Sequence, residues 1–161
     1  MLESIVFIHS WTRWLVTLFL LLVLYRSYSG WLKKSDYLKK DHIFGGILLG
    51  LTHFQLVIGL ILYFALSPIT QAALNNISVT MKSSVLRFWG IEHIFTMLLF
   101  VIFIQIGRIK TKKSSISKQK YKTTAIYCTI AVILLLLGTP WTFRKEIGRP
   151  NFMELPGSLN K

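Results

Sequence analysis

Runs of apolar residues recur four times along the chain, separated by short polar stretches: roughly residues 4–25, 43–66, 85–107 and 123–141. A helix rises about 1.5 Å per residue, so about 20 residues cross a hydrocarbon core of about 30 Å. Backbone groups in lipid must be bonded within their own segment or in a closed barrel, and runs of this length select helices. The pattern predicts an all-α fold, an integral membrane four-helix bundle over residues 1–141, with a polar tail over 142–161. The first run begins almost at Met1, with neither a basic leader nor a small-residue cleavage site, and reads as a retained span.

Local signals punctuate this pattern. Tyr25, Tyr28 and Trp31 close the first span with amphipathic rings suited to the headgroup level. A polar hinge over 27–41 leads to a second span that carries Gly45, Gly46, Gly50 and Gly59. Gly46 and Gly50 form a small-xxx-small pair that admits a neighbouring helix or a flat ligand. Ser67-Pro68 ends the second span, and the uncharged stretch to Met81 suits a short interfacial helix. Gly138-Thr139-Pro140 ends the fourth, which is almost purely aliphatic from Ile126 to Leu137. With 161 residues, 53% of them hydrophobic, and no internal repeat, the chain reads as one membrane domain.

The net charge of +13 changes the picture through its distribution. Twelve of the nineteen basic residues lie in two stretches, from Arg26 to Lys40 and from Arg108 to Lys122. These are the first and third connections of a four-span chain, which share one side of the membrane. The positive-inside rule puts that side in the cytoplasm and both termini outside. The basic connections suit anionic headgroups of the lipid bilayer. They lack the interleaved aromatics of a base-stacking surface, which argues against a nucleic-acid partner. The single cysteine, Cys128, gives no disulfide framework or thiolate cluster and reads as a small core residue.

Ionisable residues within spans are costly and mark candidate sites. Here they are His9 and Arg13 in the first span, His53 in the second, and Glu92 with His93 in the third. By depth, His53 lies near the middle of its span and His93 within roughly one turn of that level. His9 lies nearer the outer face, and Arg13 shares its face one turn deeper. These depths suggest two arrangements. Arg13 and Glu92 are expected as an intramembrane ion pair joining spans one and three, with Glu92 as a histidine-orienting carboxylate the alternative. Two histidines on adjacent helices can also ligate a haem iron in a bundle core. His53 with His93 is the expected axial pair, and His9 with either is second. Glycines near His53 leave space for the macrocycle; Phe54, Phe88, Trp89 and Phe95 are candidates to line it, and Arg87 to meet a propionate. A haem-free His and carboxylate metal site is a further reading. So is a cofactor-free interaction or assembly subunit whose polar network is structural.

Three stretches carry a family likeness: His9-Ser10-Trp11-Thr12-Arg13-Trp14; Thr52-His53-Phe54-Gln55-Leu56, with Gly59 to Phe64 just beyond; and Arg87-Phe88-Trp89-Gly90-Ile91-Glu92-His93. On these the chain resembles small bacterial four-span membrane proteins described as cytochrome-b-like. The resemblance implies haem b and electron transport in the bacterial inner membrane, with quinone as a candidate second ligand and respiratory-complex subunits or a homo-oligomer as partners. The chain departs from diheme four-helix cytochromes, which use two histidine pairs. It has four histidines in all, with His42 far from His9, so at most one bis-histidine haem is expected.

Overall fold

A computed structural model describes residues 1–150 and 152. Four helices are long and apolar enough to cross a membrane, making this a multi-pass helical membrane protein; no strand occurs among the described residues. Helix α1 runs Leu2–Leu32 and α2 Lys39–Ile61, the latter continued by a π-helical turn, Leu62–Leu66. Three short helices come next: α3 (Pro68–Asn75), α4 (Ile77–Lys82) and α5 (Ser84–Arg87). A second π turn, Phe88–Glu92, leads into α6 (His93–Lys113), and α7 (Ser117–Gly138) completes the bundle. The long helices close a ring in the order α1, α2, α6, α7.

The helices overrun the apolar runs that predict them. α1 extends seven residues past Tyr25, because nothing there breaks a helix until Lys34 takes a left-handed conformation (φ 54°). At that stop Ser35 N–H bonds Gly30 O at 3.0 Å, the wide closing bond of a left-handed cap. The expected interfacial helix after Ser67-Pro68 is two helices. Each is started by a side-chain cap, Ser67 accepting from Thr70 N–H and Asn76 Oδ1 from Val79 N–H at 3.1 Å.

The core fills the middle of the bundle, with Val16, Leu20, Leu48, Phe100, Ile104, Cys128, Ala131 and Leu135 buried together. Close helix approach comes from glycines other than Gly46 and Gly50. Both of those are exposed, and a Cβ at Gly50 would meet nothing within 4 Å. Gly30 instead lies under the Tyr121 ring, and a Cβ at Gly107 would stand 2.6 Å from that of Tyr127. These two let α7 lie flat on α1 and α6.

At the basic end, Asp41 ties three helices. Its Oδ1 accepts from Arg26 Nε at 2.6 Å, and its Oδ2 from Tyr121 OH at 2.7 Å and Leu38 N–H at 3.0 Å. Tyr121 OH also lies 3.0 Å from Asp36 O. The Asp41 side chain is 5% exposed, so water replaces little of this if it is lost. Asp41→Ala is expected to destabilise the bundle by about 2 kcal/mol, by removing the partner of Arg26 and of the Leu38 N–H and leaving the Tyr121 hydroxyl only Asp36 O. Thermal unfolding in detergent measures this, and a melting temperature equal to that of the parent would refute it.

Candidate functional site

The terminal end of the bundle is built differently. Where the basic half is closed by glycines, the half near Met1 holds a cavity of about 500 Å³ between α1, α2, α6 and the end of α7. Its walls are mostly apolar, and His9, Arg13, Gln55, Tyr63, Trp89 and His93 are among its lining residues.

Two π turns flank this cavity. A π turn inserts one residue into the helical ladder and rotates the residues beyond it, a device frequent at functional sites. Tyr63, in the first turn, donates its hydroxyl to Gly90 O in the second at 2.6 Å. Gly90 is buried, and its Cβ position is 2.5 Å from the Ala73 side chain, so α3 packs directly on this turn. The second turn ends at His93, whose ring has Phe88 and Trp89 beside it at centroid distances of 5.8 and 5.5 Å.

His93 Nδ1 lies 2.7 Å from Gly138 O. A carbonyl only accepts, so Nδ1 carries the proton and Nε2 keeps its lone pair. Gly138 ends α7, where a carbonyl lacks an intrahelical partner, so the contact satisfies both groups. His9 enters the same cavity from α1. Gly59 faces it, with a Cβ position 3.2 Å from His9 Cε1, so any larger residue would crowd the imidazole. Gln55 Nε2 donates to His9 O at 2.9 Å, fixing α1 on α2 at this level. Among the described residues, His9 Nδ1, Gln55 Oε1 and Thr52 Oγ1 are buried without a hydrogen-bond partner. All three residues line the cavity. Buried polar atoms left unsatisfied are uncommon, and their convergence on one cavity is what a ligand or ordered water would complete.

Of the expected site residues, the structure brings together His9, Arg13, His93 and Trp89, with Phe88 beside His93, and sets His53, Glu92, Arg87, Phe54 and Phe95 apart from them. His53 is exposed on the outer face of α2 and does not line the cavity. Helical phase is the reason: Thr52, Gln55 and Gly59 form the inward stripe, and His53 sits about 100° round from Thr52. Phe54 and Phe95 are exposed for the same reason, at 51% and 62%. The expected Arg13–Glu92 ion pair does not form. Glu92 Oε1 pairs with Arg87 Nε at 2.7 Å on its own helix, both side chains about two-fifths exposed. Arg87 also donates to Met81 O at 3.2 Å and stays outside the cavity wall. With His53 and Glu92 turned away, no three histidine, cysteine or acidic residues among those described could hold a bare metal ion.

Sequence reasoning missed Thr52, Gln55, Tyr63 and Arg149 as lining residues. A signal existed for three of them: Thr52, Gln55, Gly59 and Tyr63 recur at helical spacing within an otherwise apolar span. No family model, curated protein or solved structure matches the chain. Tyr63→Phe leaves the Gly90 carbonyl without this donor and is expected to cost about 1 kcal/mol. Thermal unfolding in detergent measures the loss, and an undiminished melting temperature would show that the hydroxyl does not hold the two turns together.

Proposed function

We propose that this cavity binds haem b between His9 and His93, and that the chain is a membrane electron carrier or an accessory subunit of a respiratory complex. The observation that carries this reading is two imidazoles opening from α1 and α6 into one largely apolar cavity. The His93 ring is already fixed in the tautomer that offers Nε2, by the Gly138 carbonyl. Metal-ligating histidines are commonly held in this way through the second ring nitrogen. The residues present fit a haem in three further respects. Among the described residues His9 Nδ1 is buried without a partner, Gly59 makes room for the His9 imidazole against α2, and most of the cavity wall is apolar or aromatic.

A bound haem supplies one-electron chemistry at its iron. The chain's own residues hold and shield. The Gly138 carbonyl keeps the proton on His93 Nδ1, and the Gln55 amide, bonded to His9 O, sets the height of His9 against α2. Trp89 lies beside the His93 ring, and the core that begins at Val16 and Phe100 excludes water from the deeper end. The two basic connections and the likeness to cytochrome-b-like proteins support a bacterial inner membrane location, with both termini on the extracytoplasmic side.

The test is an absorption spectrum of the detergent-purified protein from haem-replete cells, oxidised and then reduced with dithionite. A Soret band with sharp reduced α and β bands is expected in the parent and in His53→Ala. His9→Ala and His93→Ala are expected to lose most of the bound haem. A colourless parent protein would overturn the reading and favour a structural polar network. Haem retained in both single variants would overturn the ligand pair.

A further inference from the structure

Beyond α7 the chain folds back against the cavity wall. Arg149 N–H bonds Pro140 O at 3.0 Å, Gly148 N–H bonds Arg144 O at 2.7 Å, and Ile147 is buried beneath the return. A Cβ at Gly148 would lie 2.7 Å from the carbonyl oxygens of both Trp141 and Arg144, so this turn requires glycine. Ring contacts fasten the return to the bundle. Arg144 lies over Phe88 at 4.7 Å, Arg149 over Trp89 at 5.3 Å, and Phe152 stacks on Trp14 at 5.1 Å and 15°.

The return therefore contributes to the site. Arg149 and Pro150 form part of the wall of the cavity that His9 and His93 enter. Arg149 brings a positive charge to the wall of the cavity, where Glu3 is the one carboxylate among the described lining residues. An apolar slot with the Arg149 guanidinium in its wall suits a ligand with a flat apolar body and an acidic end. Contact with the Trp89 ring holds the Arg149 guanidinium at the wall of the cavity.

We infer that the ligand lies with its acidic end toward this return, and that Arg149 is the residue that binds the acid group. This rests on the reading of the cavity as a haem site, the propionates being the acid groups in question. Arg87, the candidate partner from sequence, is engaged by Glu92 outside the cavity.

Full-length protein from haem-limited cells, titrated in detergent and followed by Soret absorbance, tests the assignment. The probes are haemin and its dimethyl ester, whose acid groups are neutralised. The parent protein is expected to bind haemin at least about tenfold tighter than the ester, the worth of one charge-assisted hydrogen bond. Arg149→Gln is expected to shrink that preference to about twofold or less, and Arg149→Lys to keep part of it. The ligand-free melting temperature of Arg149→Gln should fall only slightly, by the loss of one contact with Trp89; should that variant fail to fold, Arg149→Met is read in its place by the same haemin-to-ester ratio. Equal affinities in the parent, or a preference that survives Arg149→Gln, would overturn the role of Arg149 and leave the imidazole pair standing. Binding of neither porphyrin by the parent would overturn the haem reading, and this inference with it.

Discussion

Within a hydrocarbon layer no water is available to satisfy a polar group, so each must find its partner inside the protein. That constraint organises the bundle at both ends. At the basic end the Asp41 carboxylate collects Arg26 from α1, Tyr121 from α7 and the backbone of its own helix start. At the terminal end the Gly138 carbonyl takes the His93 ring, and Tyr63 bridges the two π turns. The apolar core between them supplies bulk but little orientation, since lipid tails are as apolar as leucine.

The two halves differ in how tightly they close. Gly30 and Gly107 let α7 come down on aromatic rings, and large buried residues fill the space that remains. In the other half the π turns rotate the helix ends, and the short helices α3 to α5 cap them from outside. There the helices enclose space instead of filling it. That space gathers imidazole, amide and guanidinium groups among apolar walls. A ligand that pairs with such groups gains binding free energy from each one it satisfies.

The haem reading and the role of Arg149 depend on different features of this space. The first depends on His9 and His93 opening into one cavity, and the second on a polypeptide return that lines its wall. A helix end near the cavity can do two things, satisfying its own backbone and fixing a side chain of a neighbour. Gly138 is the clearest case, ending α7 and fixing the tautomer of a histidine on α6.

Four apolar runs of sufficient length determine four membrane helices, because hydrogen bonding in lipid leaves a long apolar segment one practical conformation. The sequence also identified His9, Arg13 and His93 as intramembrane polar residues, Cys128 as core, and the stop at Gly138. It did not decide which polar residues face one another. His53 was chosen for its depth, yet facing depends on helical phase against a neighbour, and the inward stripe of α2 is Thr52, Gln55 and Gly59. Glu92 was matched to Arg13 by depth and sign, but a π turn lets it meet Arg87 on its own helix. The expected polar tail, 142–161, lies partly outside the described residues, including Pro156. Its described part contributes Arg149 to the cavity through a chain reversal with no signature in hydropathy. Length and hydrophobicity act residue by residue and are legible in one dimension. Rotation, register and the return of a tail are set by packing between segments far apart in sequence, and the tertiary structure alone decided them.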